Sequence, residues 1–282
     1  MAIILDGKKL RDKLLAELKL KIDRLSEKPC LAVILVGDDT PSRIYVNNKK
    51  RAAESLGIVS EVFEYPGNVA EEEIIKKIQE LNADKSVNAI LVQLPLPEHI
   101  NSRRVINSIS PEKDVDCFTD TNTGKLFAGQ PPAVYPCTPK GILLLLDEYG
   151  IDLDGKHVVV VGRSNIVGKP MSMMAINRNA TVTVCHSHTK NLAKITKTAE
   201  VLISAVGEVL IKEDMVVKGC IVIDVGISKN GIGKLCGDVD FNSVSKVASY
   251  ISPVPGGVGP MTITSLMLNT YDLYCEQKKR SL

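Results

Sequence analysis

The sequence predicts an α/β protein in two domains, and three observations carry that prediction. The chain has 282 residues, which suits about two domains of one to two hundred residues each. In the first half, apolar runs closed by Gly or Pro alternate with stretches of helical periodicity. This αβαβαβ succession predicts a mostly parallel sheet with helices on both faces. In the second half, strand-like runs recur about every twenty residues, room for one helix and two turns. That is the rhythm of a doubly wound nucleotide-binding domain.

Element by element, Leu10, Leu14, Leu18, Ile22 and Leu25 give residues 7–27 the spacing of an amphipathic helix. CLAVILVG (30–37) reads as a strand buried on both faces. Thr40 as N-cap and Pro41 at the first helical position open a helix that stops at Gly57. Residues 58–65 alternate as a strand, 70–82 are helical, and VNAILVQL (87–94) is a second buried strand stopped by Pro95 and Pro97. Residues 111–139, rich in Pro, Gly, Asp and Thr, are too long for an ordinary connection and mark the domain boundary. A helix over 139–149 precedes the strands 157–162, 181–187, 201–207 and 220–227. A strand entering a Gly/Pro loop (249–260), a last helix (261–277) and a solvated basic tail (278–282) complete the chain.

Hydrophobic residues make up 44% and charged residues 24%, so the chain buries sizeable cores without staples. The net charge of +2 excludes a strong global electrostatic case for nucleic acid, though a local basic pocket remains compatible with it. Aromatics are 4% with no Trp, which argues against base-stacking platforms. Seven scattered cysteines with no CxxC pair read as reduced thiols of a cytosolic protein. The N-terminus carries no signal or transit pattern, and no apolar run approaches membrane-spanning length. A cytoplasmic protein with neither membrane nor nucleic-acid partner is expected.

Five segments offer chemistry. In VVVVGRSNIVGKP (158–170) a buried strand ends at Gly162, and a helix starts near Gly168; backbone amides there attract a pyrophosphate, while an ordinary tight turn has the same appearance. The next strand ends in CHSHTK with no acidic residue to hold a ribose 2′-hydroxyl. Ser187, Thr189, Lys190 and Arg163 suit a 2′-phosphate instead, which favours NADP over NAD. Cys185, His186 and His188 lack a matching downstream pair, and neighbouring strand residues face opposite ways, so no metal site is expected.

Tyr45 and Lys49 share one face of a helix that follows a buried strand, and a second buried strand brings Gln93 to the same sheet edge. A solvated lysine beside a half-buried tyrosine, and a surface Gln93, fit the same pattern. Asp114 and Asp116 could bind a metal, cap a turn or grip a ligand's N–H groups, capping being commonest. PVPGGVGPMT (253–262) could form a rigid loop whose backbone approaches a ligand, or punctuate the final helix.

Together YVNNKKRAAESLGI, ILVQLPLP, PEKDVD, PCTPKG, VVVVGRSNIVGKP, TVTVCHSHTKNL, IVIDVGI, GDVDF and PVPGGVGPMT, in this order, make the chain resemble the bifunctional methylenetetrahydrofolate dehydrogenase/methenyltetrahydrofolate cyclohydrolase (FolD) family. The resemblance covers nearly the whole chain. It implies oxidation of 5,10-methylenetetrahydrofolate with NADP, then hydrolysis of the 5,10-methenyl cation to 10-formyltetrahydrofolate, with one folate site for both steps. By resemblance Lys49 is the catalytic lysine, Tyr45 stacks on the folate, Gln93 pairs with the lysine, and Asp116 grips the pterin. Val92 and Leu94, which flank Gln93, and Pro255, Gly256, Gly257, Val258 and Gly259 line the folate site. Gly162, Arg163, Ser164, Ser187 and Ile227 contact the dinucleotide. The implied domains are a folate-binding catalytic domain over 1–138, joined by the last helix (about 261–276), and a Rossmann-like NADP-binding domain over 139–260. The active site is expected in the cleft between them, and a homodimer through the nucleotide domains.

A lysine transfers protons near neutral pH only when its pKa is lowered, and burial beside a cationic substrate does that. Two positions depart from the family pattern. Cys117 stands where the family usually has Gly; a left-handed backbone there would strain it by about 1 kcal/mol or more. Glu200 replaces a usual Asp, a minor change.

Overall fold

The structure, a computed structural model, describes residues 1–229 and 235–280. In chain order the elements are β1 (Ile3–Ile4), α1 (Gly7–Asp23), β2 (Cys30–Val36), α2 (Thr40–Leu56), β3 (Val59–Tyr65), α3 (Glu71–Ala83), β4 (Ala89–Val92), α4 (Ser102–Asn107), α5 (Asp120–Phe127) and α6 (Cys137–Glu148). There follow β5 (His157–Val161), α7 (Gly168–Ile176), β6 (Thr181–Cys185), α8 (Leu192–Thr196), β7 (Val201–Ser204), β8 (Ile221–Asp224), β9 (Ser228–Lys229), β10 (Leu235–Cys236), α9 (Phe241–Val244), β11 (Tyr250–Ile251) and α10 (Val258–Arg280). The chain divides into two compact units. One joins residues 1–13 to 138–262, and the other joins 14–137 to the residues from 263 onward.

The unit built on 14–137 holds a three-stranded parallel sheet in the order β3-β2-β4. Its middle strand is buried along its whole length. Because side chains alternate across a strand, Leu31, Val33 and Leu35 face one cluster, while Ala32, Ile34 and Val36 face another. The first cluster includes Val46, Ala53 and Leu56 of α2 and Leu266, Met267 and Leu273 of α10. The second takes Ile74 and Ile78 from α3. Two-sided burial is why β2 reads as a continuous apolar run.

The other unit holds a six-stranded parallel sheet in the order β1-β11-β8-β7-β5-β6. β5, β7 and β8 form its centre, and Val158 to Val161, Leu202, Ile203, Val222 and Ile223 are almost inaccessible. The two-residue β1 pairs in parallel with β11 and so brings the start of the chain into this sheet.

Some boundaries differ from the sequence expectation for local reasons. The α2 cap is Asp39 rather than Thr40, because the Asp39 carboxylate accepts from both Ser42 N (2.9 Å) and Ser42 Oγ (2.7 Å). The first helix stops at Asp23, and Lys28 Nζ caps its end on Ile22 O (2.8 Å) and Leu25 O (3.0 Å). The 111–139 stretch contains α5, opened by Thr119, whose side chain accepts from Asn122 N. α10 begins three residues before Met261 and continues into the basic tail, of which residues 281 and 282 lie outside the described residues. No helix among the described residues is long and apolar enough to cross a membrane.

Candidate active site and dinucleotide site

In the three-stranded sheet the chain passes from β2 to β3 on one side, then returns to β4 on the other. Beyond the carboxyl ends of β2 and β4 lies the switch point at which open α/β sheets place ligands. α2 follows β2 and carries Lys49, and Gln93 follows the last residue of β4. Lys49 Nζ donates to Gln93 Oε1 at 2.9 Å. Gln93 is buried, its Nε2 donates to Leu94 O at 2.6 Å, and its backbone N donates to Ile34 O at 2.9 Å. The amide is therefore fixed at both ends, with its oxygen toward the lysine, an orientation assigned from this network.

Asp116 belongs to the same cluster. Desolvation pushes its carboxyl above the usual carboxylate range, while the charge of Lys49 and a hydrogen bond from the Cys137 thiol pull it down. Tyr45 lies one turn before Lys49 on α2 and is exposed. Val92 is buried and Leu94 half-buried beside Gln93. The site therefore presents an ammonium, an amide and a carboxyl together, with an aromatic ring nearby on the helix.

The two aspartates of the loop have different surroundings. Asp114 is almost inaccessible and accepts from Phe118 N (3.1 Å), Thr119 N (2.9 Å), Thr119 Oγ1 (2.7 Å) and Asn122 Nδ2 (3.0 Å). It anchors the turn, as capping logic suggested for such residues. Asn269 of α10 ties the same loop down by donating to Val115 O and Tyr135 O, both at 2.8 Å. Sequence reading missed Thr119, Asn122 and Asn269, because only the folded backbone reveals the carbonyls and carboxylate they serve. Between the two anchors Cys117 is buried with φ of 60°, the left-handed conformation the Gly-to-Cys departure raised.

In the six-stranded sheet the switch point lies between β5 and β7, because β6 is on the far side of β5. Gly162 follows β5 with φ of 121° and donates its backbone N–H to Cys185 O at 2.8 Å. A Cβ on Gly162 would overlap the Ala205 carbonyl, and one on Gly168 would overlap the Gly162 carbonyl. These glycines let three backbone segments meet at one edge. Ser164 Oγ accepts from Val167 N (3.2 Å) and Gly168 N (3.4 Å), holding the approach to α7. Arg163, Ser187 and Ile227 are exposed at the ends of β5, β6 and β8. The turn after β6 is fixed by Thr189 Oγ1 accepting from His186 N at 2.8 Å. No acidic side chain follows β6 there.

In the same unit, the loop Pro255–Gly259 is braced by the start of α1. Lys8 N donates to Gly256 O (3.1 Å), and Gly257 N donates to Pro253 O (2.8 Å). Val258 is buried and opens α10, while Gly259 is exposed. Glu200 lies at the amino end of β7, where it accepts from His157 N at 3.0 Å.

Parallel sheets with a polar cluster at one switch point and a glycine-lined turn at the other define an α/β enzyme with a dinucleotide-binding unit. Residues 5–116 match the family model described as the tetrahydrofolate dehydrogenase/cyclohydrolase catalytic domain, and residues 136–278 match its NAD(P)-binding domain. The chain belongs to the tetrahydrofolate dehydrogenase/cyclohydrolase family. It is 54% identical over 279 residues to the bifunctional protein FolD of Aquifex aeolicus, covering 97% of this chain and 96% of that one. The crystal structure of the bifunctional FolD enzyme of Campylobacter jejuni superposes with a TM-score of 0.96 at 48% identity, covering 100% of both chains. The Trypanosoma brucei dehydrogenase-cyclohydrolase, solved with NADP cofactor and inhibitor, gives 0.93 at 36% identity, covering 99% of this chain and 98% of that one.

Proposed function

We propose that this chain oxidises 5,10-methylenetetrahydrofolate to the 5,10-methenyl cation with NADP, and hydrolyses that cation to 10-formyltetrahydrofolate in the same folate site. The observation that carries the reading is the Lys49–Gln93 hydrogen bond beside Asp116 at the β2/β4 switch point. We assign the folate-binding part to the unit of residues 14–137 with the last helix, and the dinucleotide-binding part to the unit of 138–262, which also takes residues 1–13 because β1 pairs with β11; the boundary at the start of the chain thus differs from the expected 1–138.

The residues after β5 and β6 fit NADP. Gly162 and Gly168 leave room for close approach of the backbone turn between β5 and α7 to a pyrophosphate. Arg163 and Ser187 suit a 2′-phosphate where an NAD site would present a carboxylate. Bound there, the cofactor supplies a hydride acceptor, and the protein's task is to orient the one-carbon bridge against it.

In the folate site, Tyr45 stacks on the pterin and Asp116 accepts its N–H groups. Hydride loss leaves a cation spread over N5, the bridging carbon and N10. Water adds to that carbon, and neutral Lys49 takes the water's proton. The C–N5 bond then breaks as the carbinol hydroxyl loses its remaining proton to solvent and becomes the formyl C=O; N5 receives a proton from the ammonium, and the formyl group stays on N10. Gln93 Oε1 accepts from the ammonium and equally from an N–H of the neutral amine, so the lysine keeps its direction in both states.

The same reading extends to a cytoplasmic homodimer associating through its dinucleotide units, with neither nucleic-acid nor membrane partners. The family resemblance supports the dimer, and solution mass tests it. For the chemistry, Lys49→Met is expected to abolish hydrolysis of the methenyl substrate with the fold intact by circular dichroism. Hydrolysis at the normal rate would overturn the assignment.

A further inference from the structure

The segment Gly237–Phe241 takes part in none of the contacts assigned above, yet it carries a fully buried carboxylate. Asp238 Oδ2 accepts from Ser204 Oγ (3.0 Å) and Val206 N (2.7 Å), and Oδ1 accepts from Gly207 N (2.9 Å). Asp224, at the end of β8, is almost as deeply buried and supports Asp238 from behind. Its Oδ1 accepts from Asp238 N (2.8 Å) and Gly226 N (3.0 Å), and its Oδ2 accepts from Val239 N (3.0 Å). Cβ atoms on Gly226 and Gly237 would overlap these carboxylates.

Among the described residues neither aspartate pairs with a cation. Burying two neighbouring carboxylates without one is costly, and apolar packing would serve a merely structural purpose better. What the carboxylates do is fix backbone. Asp238 takes the N–H groups of Val206 and Gly207, in the loop that leaves β7 at the switch point. The carbonyl of Ala205, the preceding residue, is packed against Gly162.

We infer that Asp238, seated by Asp224, is a positioning residue for the dinucleotide, holding the β7 loop at the height its backbone needs to form one wall of the cofactor site. The inference rests on the reading that NADP lies at the β5/β7 switch point. It concerns binding of the cofactor and leaves hydrolysis of the methenyl cation alone.

The test is Asp238→Asn in the full-length protein, with Ser204→Ala as a milder variant that removes one of the three bonds. Calorimetry with NADP and dehydrogenase kinetics are read beside cyclohydrolase activity measured without dinucleotide. Asp238→Asn is expected to raise the Kd and KM for NADP about tenfold, and Ser204→Ala about threefold, in line with loss of charge-assisted bonds. KM for the folate and the cyclohydrolase rate should change less than about twofold.

Unchanged NADP affinity in a folded Asp238→Asn protein overturns the role, as does a parallel fall of both activities. If Asp238→Asn does not fold, unchanged affinity in Ser204→Ala overturns it. Arg163→Ala separates the underlying reading. If it leaves NADP affinity unaltered, the cofactor site itself is misplaced and the inference falls with it. If it weakens NADP while Asp238→Asn does not, only the positioning role fails.

Discussion

The two sheets place their functional groups at equivalent points, the carboxyl ends of strands where the strand order reverses, but build them from different material. In the three-stranded sheet the proposed working groups are side chains: Lys49 and Tyr45 on α2, Gln93 after β4, and Asp116 on an anchored loop. In the six-stranded sheet the edge is mostly backbone, with Gly162, Ala205 and Gly168 packed together and Ser164 and Asp238 bracing it. Proton transfer needs groups that titrate or hydrogen-bond in definite directions, whereas a phosphate chain is held well by fixed amides. One edge is therefore sensitive to the identity of side chains, and the other to the absence of them.

Lys49→Met tests the first half of that contrast most severely. Losing a general acid/base typically costs about 10² to 10⁴ in rate, and the loss should fall on hydrolysis while NADP affinity stays. Spectroscopic decay of the methenyl product measures it, and a comparable loss of NADP affinity would erase the distinction between the edges. Gly168→Ala is the reciprocal change. One methyl group, driven into the Gly162 carbonyl, should weaken NADP binding by about 1–3 kcal/mol through displaced backbone. Calorimetry should show this with cyclohydrolase activity retained; unchanged NADP affinity would mean the edge tolerates a side chain after all.

The carboxylates sharpen the comparison further. Asp116 has the Lys49 charge to offset its desolvation, whereas Asp224 has only backbone N–H groups, and burial pushes it up to about 6. Because its native pKa exceeds the unfolded 3.8, native Asp224 holds its proton over a range where the unfolded chain has lost it. Its contribution to stability is present below about pH 4 and is lost as pH rises through about 6, on the order of 2–3 kcal/mol in all. Urea midpoints of wild type and Asp224→Asn should thus shift in the variant's favour between pH 4 and pH 7. A pH-independent difference would refute the assignment.

The smallest expected effect is at Cys117. Replacing it with glycine relieves about 1 kcal/mol of left-handed strain but removes a buried thiol, so overall stability should move by less than about 1 kcal/mol. The ratio of the two activities should shift about two- to threefold, because Asp116 is its neighbour. An unchanged ratio would show that the loop holds its aspartate equally well with either residue.

The same contrast decides what was legible in the sequence. Buried strands such as 30–36 and 158–161 announced themselves, because two-sided burial leaves an uninterrupted apolar run. Tyr45, Lys49 and Gln93 stood out because a chemical side chain at a strand end or on a helix face is visible as a letter. The helices over 102–107 and 120–127 did not. They are too short to show a period, and they are held by Asn101, Thr119 and the buried Asp114 rather than by an apolar stripe. Asp238 was a letter in GDVDF with no role, since its partners, the Ser204 hydroxyl and two backbone N–H groups, lie more than thirty residues earlier. The β1–β11 pairing joins Ile3 and Ile4 to Tyr250 and Ile251, far apart in the chain, which no local pattern foretells.

The contribution of α10 has a consequence for how the protein is made. Leu266, Met267 and Leu273 complete the core behind β2, and Asn269 ties down the loop that bears Asp116. The ribosome delivers residues 14–137 before these four, with every strand of the six-stranded sheet except β1 synthesised in between. While those strands emerge, the earlier sheet waits with part of one apolar face uncovered, open to chaperones and to mispairing with neighbouring nascent chains. The unit proposed to carry out the hydrolysis is thus completed only after most of the other unit has been made.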